Sequence, residues 1–182
     1  VARGCGHWLM EARAWTLLSV CARARGDWRD AVRYLENARG VAGDDELAVR
    51  VQLQVHLSLA ELQQDWGHVE AGAEQLAVAQ RLFERCGGDD GMMLRIVAAW
   101  QLALGGDLDG AERDLRDLLD ELAGRASAHT LYPRLVLAEL YAVTDRPEPL
   151  RVLLATDFDG ATRPHRIYLL QLGAWLSAAD GD

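Results

Sequence analysis

The chain contains no lysine and a single asparagine, Asn37. All nineteen of its basic side chains are therefore arginine, a bias expected of a high-GC genome rather than of a binding surface. Acidic residues outnumber them, 28 to 19, and the net charge is −9. A domain of that sign repels phosphate backbones, which argues against direct binding of DNA or RNA. Proline is scarce, with four residues, and β-branched runs are rare, so little interrupts helix. No stretch approaches the run of about 18 apolar residues that a membrane-spanning helix needs. The three cysteines, Cys5, Cys21 and Cys86, form no CxxC pair and are odd in number. That count and spacing fit a reducing, cytoplasmic setting. Cys21 falls on an apolar helical face and is expected in the core. No secretory signal pattern opens the chain, and a start at Val1 reads as that of a segment from a larger polypeptide.

Constellations that carry chemistry are also missing. His7, His56, His68, His129 and His165 are scattered, without HExxH or other metal-ligand spacing. Ser19, Ser58, Ser127 and Ser177 lack a nucleophile-elbow context. Gly87-Gly88-Asp89-Asp90 resembles a cyclase signature without the surrounding sheet pattern, and reads as a helix stop followed by an N-cap. Asp157-Phe158-Asp159-Gly160 opens like a calcium loop but lacks the closing glutamate. No phosphate-loop lysine follows Gly4 and Gly6. Asp117 and Glu121 stand at i, i+4 and read as a solvated helix face. No catalytic, cofactor-binding or metal-binding residue is assigned, and the chain is read as non-enzymatic.

What is present is a recurring turn. Gly26-Asp27-Trp28-Arg29-Asp30-Ala31 reads as the tight connection between two antiparallel helices. The glycine can take positive φ to end one helix, and the aspartate can cap the next. Trp28 is the bulky packing residue, and Ala31 is small where two backbones approach. Gln64-Asp65-Trp66-Gly67-His68-Val69, Gly106-Asp107-Leu108-Asp109-Gly110-Ala111 and Thr144-Asp145-Arg146-Pro147-Glu148-Pro149 repeat the shape. Aligned on Asp27, Asp65, Asp107 and Asp145, the copies step by 38, 42 and 38 residues. A period in that range marks stacked helix pairs.

Hydrophobic periodicity supplies the helices. The first pair runs from His7 to about Arg25 and from Trp28 to about Val41. The second runs from Glu46 to Gln63 and from Trp66 to about Cys86. The third is Met92–Leu104 with Leu108–Leu122, and the fourth is Thr130–Val143 with Pro147–Ala155. A final helix, Pro164 to about Ala178, is expected to cover the open end of the stack. The expected fold is thus all-α: an α-solenoid of about four antiparallel helix pairs plus a C-terminal capping helix. It forms a single domain over 1–182, with repeats at 7–43, 44–88, 89–126 and 127–160 and the capping helix at 161–179. Trp15, Trp28 and Trp66 occupy packing positions and are expected in the core, while Trp8 and Trp175 fall in the terminal helices.

Residues 12–45 resemble a tetratricopeptide repeat. Trp15, Leu18, Gly26-Asp27-Trp28, Ala31, Leu35 and Ala38 fall where that family places its large and small signature residues. The third pair resembles it through Gly106, Asp107, Ala111, Leu115 and Leu118. The second pair puts Val69, and the fourth Pro149, at the small-alanine position. The longer helices are similar to tetratricopeptide regions of large bacterial transcriptional activators. The resemblance implies a concave groove lined by the first helix of each pair. The inward residues are then Arg13, Gln54, Ser58, Glu61, Ile96, Trp100, Arg134 and Tyr141, with Thr16, Arg23 and Val51 among their neighbours. Such a groove is apolar in the middle, with arginines toward its ends, and suits an amphipathic or extended peptide with some acidic character. The implied role is a non-catalytic interaction or regulatory module, binding a peptide, a partner protein or other domains of the same chain. The alternatives are a signal-sensing domain of a larger transcriptional regulator, taking a small molecule or peptide around Trp100 and Tyr141, or a self-association spacer forming a homodimer. No cofactor is expected.

Overall fold

The computed structural model describes residues 5–41, 46–86, 91–124, 127–156 and 163–180. Every regular element among them is an α-helix, as the composition predicts. These are α1 (Cys5–Ala24), α2 (Trp28–Val41), α3 (Glu46–Asp65), α4 (Val69–Cys86), α5 (Gly91–Leu104), α6 (Leu108–Glu121), α7 (Ser127–Val143), α8 (Pro147–Leu154) and α9 (Arg163–Asp180). The expected stops at Gly43-Asp44-Asp45 and Gly87–Asp90 lie outside the described residues, as do the Asp157–Gly160 loop and the tip at residues 1–4. None of the described helices is long and apolar enough to cross a membrane.

The helices divide between two compact units, Val1–Leu104 and Gly105–Asp182. In the first, α1 packs on α2, α3 on α4, and α2 on α3, while α1 and α5 both touch α3 and α5 also touches α4. This neighbour-to-neighbour pattern is compatible with a helical repeat. Ala22, Ala31, Leu35 and Ala38 of the first pair form one buried cluster with Val55, Leu59 and Leu62 of α3. A second cluster joins Leu53, Leu57 and Ala60 to Ala79 and Leu82 of α4 and to Leu94 and Val97 of α5. In the second unit α7 is central, packing on α6, α8 and α9. Leu131 and Leu135 of α7 meet Tyr168 and Leu169 of α9, and α9 also packs on α8. Pro133 lies buried inside α7, although proline removes a helical donor there.

The turns set the register. Among the described residues, those with positive φ are Gly26 (φ 78), Gly67 (φ 84), Gly106 (φ 92) and Asp145 (φ 53), with Gly124 after α6. The first four lie between α1 and α2, α3 and α4, α5 and α6, and α7 and α8, in steps of 41, 39 and 39 residues. At three of them the same two bonds close the preceding helix. Gly26, Gly67 and Asp145 donate their N–H to the carbonyls of Arg23, Gln64 and Ala142. The next residues, Asp27, His68 and Arg146, donate to Ala22, Gln63 and Tyr141 at 2.8–2.9 Å. This is the Schellman closure, which needs a left-handed residue at its corner. The following helix then opens with Ala31→Asp27, Gly72→His68, Ala111→Asp107 and Leu150→Arg146 bonds.

The second turn is therefore read three residues too early when Asp65 is aligned with Asp27, and the fourth one residue too early. Trp66 lies in the turn and not on α4. The close-approach residue of the second pair is Gly72, not Val69, and that of the fourth is Leu150, not Pro149. A Cβ on Gly72 would stand 3.0 Å from Gln64 Cγ and 3.3 Å from the Ala60 carbonyl oxygen. Seven residues before each corner stands a small buried residue: Ser19, Ala60, Ala99 and Ala138. The capping expectation is met by Asp107, whose Oδ1 accepts the Gly110 N–H at 2.9 Å. The carboxylate of Asp27 accepts from Arg25 Nε at 3.0 Å.

Three expectations about the core change. Cys21 is exposed, because its side of α1 turns away from both α2 and α3. Leu18 is 43% exposed on the same side. Trp15, Trp28 and Trp66 are half-buried, not core. Trp15 stacks on Tyr34 with ring centroids 5.8 Å apart, Trp28 packs on the edge of the first cluster, and Trp66 lies 4.4 Å from the His68 ring.

Glycine substitutions separate strain from propensity. Gly67→Ala is expected to cost about 1–2 kcal/mol through its φ alone, since its Cβ would meet nothing within 4 Å. Gly72→Ala also destabilises, because a backbone oxygen blocks the new methyl. Gly173→Ala, inside α9 with open space around it, stabilises by about 0.5–1 kcal/mol. Urea unfolding of the three variants checks all three signs.

Candidate functional site

The predicted groove residues separate into three environments. Arg13 and Gln54 come together. With Thr16 and Leu17 of α1 and Leu47, Arg50 and Val51 of α3, they line one open pocket of about 430 Å³. Its floor is mostly apolar, and its two cations, Arg13 and Arg50, are exposed. Neither forms an ion pair among the described residues. Gln54 lies 41 residues after Arg13, the step between the first two corners, so both hold the same position relative to their corner.

Ser58 and Glu61 follow Gln54 at four and seven residues along α3, and both are half-buried. Arg23 of α1 spans to Glu61 at 3.6 Å and also contacts Asp65. That ion pair closes the far end of the α1–α3 face with charge already neutralised. Trp100 stands half-buried on α5, which packs on α3. Ile96 is 2% exposed and so does not line an open groove. Its helix is apolar on nearly all sides, with Leu94, Val97 and Ala99 buried as well, and such a helix buries most of its circumference.

Arg134 and Tyr141 belong to the second unit. Counted from the Asp145 corner, Arg134 is in register with Trp15 and His56, and it is half-buried. Tyr141 is in register with Ala22, a buried residue of the first pair. Its ring is accordingly buried, correcting its assignment to the groove. The one-residue shift of the fourth turn accounts for the error.

The Tyr141 hydroxyl is the centre of a polar cluster. It donates to Glu112 Oε1 at 2.9 Å and accepts from Arg116 Nη2 at 2.9 Å. Arg116 Nε lies 2.9 Å from the same Glu112 oxygen. Arg146, at the start of α8, pairs with the other Glu112 oxygen and places its guanidinium 5.1 Å from the Tyr141 ring centroid. Burial pushes the Glu112 carboxyl upward, but the Arg146 and Tyr141 hydrogen bonds and the two cations outweigh it and hold the carboxyl below its usual range. Burial raises the Tyr141 phenol, with the bond to Glu112 adding to the effect. Composition gave no signal for this cluster, because its four residues come from α6, α7 and the turn between α7 and α8.

His56 is the other buried titratable group on the register. Its Nδ1 lies 2.8 Å from Gln75 Oε1, which makes Nδ1 the protonated nitrogen. Burial lowers its pKa. Trp15 and Tyr34 form the equivalent pair 41 residues earlier, so His56 fills a packing position. Among the described residues no three His, Cys, Asp or Glu side chains gather closely enough to hold a metal. No family model, curated protein or solved structure matches the chain.

The Glu112 cluster carries a pH signature. Because the folded carboxyl is depressed, its stabilisation is fully present above the unfolded value, about 4.3, and is lost as pH falls through the folded value. Glu112→Gln is expected to cost about 1–3 kcal/mol at pH 7. The stability gap between the variant and the native chain should shrink as pH falls below about 4.3. Urea midpoints at pH 7, 5 and 3 check this.

Proposed function

We propose that the chain is a tetratricopeptide-type repeat segment that acts as a non-catalytic docking module. Its corners at 26, 67, 106 and 145 and the small buried residues seven positions earlier support that family reading. A stack of such pairs forms an α-solenoid whose first helices carry the binding face. The observation that carries the functional reading is the pocket between α1 and α3. It combines an apolar floor with two exposed arginines and is lined by both Arg13 and Gln54. Apolar side chains anchor a partner, and peripheral guanidinium groups select acidic character and orient it. The partner is a peptide, a partner protein or another domain of a longer polypeptide, in keeping with a regulatory role. Nucleic acid is disfavoured by the net charge of −9.

A second reading comes from the size of the pocket. A volume of about 430 Å³ lies in the range of small-molecule sites. A sensing domain for an apolar small molecule bearing an anionic group uses the same residues.

The test is capture from cell extract by the full chain and by an Arg13→Glu/Arg50→Glu variant of unchanged helicity. Partners held by the native chain and lost by the variant are the expected result. Equal capture by both forms contradicts the pocket as the docking site. A ligand that copurifies with the native chain, shows by native mass spectrometry and is absent from the variant favours the sensing reading.

A further inference from the structure

Helices α6 and α8 both pack on α7 but not on each other. The cleft between them, over α7, holds an open pocket of about 490 Å³ that the proposed function does not use. Its size falls in the range of small-molecule sites. Leu119 of α6, Leu137 of α7 and Pro149, Val152 and Leu153 of α8 give it an apolar wall.

Two side chains of opposite charge, Arg116 and Asp120, line the same pocket. They stand four residues apart on α6, so they are neighbours on one helix face, about 6 Å apart along the axis. They do not pair with each other. Among the described residues the Asp120 carboxylate takes part in no ion pair and accepts no hydrogen bond. Arg116 is oriented from behind by the Tyr141 cluster. Its Nε and Nη2 donate to the Tyr141 hydroxyl at 3.2 and 2.9 Å, and Nε lies 2.9 Å from Glu112 Oε1. A guanidinium carries five N–H donors in one rigid plane, and the two on Nη1 meet no acceptor among the described residues.

The charges of the cluster do not balance. Glu112 pairs with Arg146 as well as with Arg116, so two guanidinium groups share one carboxylate and one positive charge is left over. An anion at Nη1 of Arg116 balances it. Asp120 offers the complementary site for a cation, and Thr156 adds a hydroxyl to the pocket lining. That hydroxyl donates to the Leu153 carbonyl at 2.6 Å and keeps its lone pairs for a further donor. A plain anion meets the repulsion of Asp120, and a plain cation meets that of Arg116. A molecule carrying both charges satisfies both groups.

We infer that this cleft binds a free α-amino acid with an apolar side chain. The ligand's carboxylate takes Nη1 of Arg116, its ammonium group takes the carboxylate of Asp120, and its side chain lies on Leu137, Val152 and Leu153. Tyr141 and Glu112 hold the guanidinium in place before the ligand arrives, which lowers the ordering cost of binding. The cleft is built from the second unit alone, so the inference stands independently of the α1–α3 pocket.

The experiment is titration of the full chain with L-leucine, followed by calorimetry and by the methyl NMR signals of Leu137, Val152 and Leu153. Saturable binding with a Kd of about 1 mM or tighter is the expected result. Leucinamide lacks the carboxylate and 4-methylpentanoate lacks the ammonium group, and each should bind about tenfold or more weakly. Asp120→Asn should weaken leucine by about tenfold or more without weakening 4-methylpentanoate, a split that loss of fold does not produce. Val152 is 71% exposed, so Val152→Glu should abolish binding at unchanged helical circular dichroism. Absence of saturation, equal affinity for leucine and its two analogues, or an unaffected Asp120→Asn variant overturns the inference. So does a leucine response confined to Leu9 and Leu17 of the α1–α3 pocket.

Discussion

The left-handed corner between paired helices is the constraint on which the rest depends. One residue at positive φ lets the chain reverse while the last carbonyls of the first helix stay bonded. It also fixes the phase of both helices around it. Seven residues before the corner and five residues after it, the residues are buried. Ser19, Ala60, Ala99 and Ala138 come before, and Ala31, Gly72, Ala111 and Leu150 come after. Moving the corner by one residue rotates a helix by about 100°, enough to exchange a buried face for an exposed one.

That sensitivity explains what the sequence shows and what it hides. Helix content and, among the described residues, eight of nine approximate helix spans are legible in the hydrophobic periodicity and in Gly26, Gly106, Pro147 and the other breakers. The exception is the start of α4, where Asp65-Trp66 imitates Asp27-Trp28 while the backbone corner falls at Gly67. The side-chain resemblance lies in Asp-Trp, but the conformational requirement lies in the glycine. The fourth corner hides for the opposite reason. Asp145 adopts positive φ without being glycine, which aspartate does more readily than most residues. Pro133 inside α7 runs against local propensity altogether and persists by tertiary packing.

The same phase decides the site. Arg13 and Gln54 line one pocket although the sequence reading sets the second corner three residues early, because a three-residue shift turns a helix by only about 60°. Tyr141 was misplaced by a single residue, and this moved it from a groove to a buried cluster with Glu112, Arg116 and Arg146. The two arginines of that cluster, Arg116 and Arg146, are paired with Glu112, while Arg13 and Arg50 at the pocket form no ion pair among the described residues. An arginine-only basic complement thus divides into ion-paired groups and groups without such a partner, a distinction invisible in the net charge. Cys21 and Leu18 show the complementary case: apolar residues on a helical face that has no neighbour to cover it.

The most direct test of the shared corner is residue-resolved amide hydrogen exchange. Asp27, His68 and Arg146 sit in exposed or half-buried turns, yet each N–H is bonded five residues back. The account predicts that all three exchange slowly, in the range of the helix ends they close and far below the rate of an unstructured chain. Exchange of His68 and Arg146 at the unstructured rate, with protection at Asp27 alone, would contradict a corner common to the three pairs.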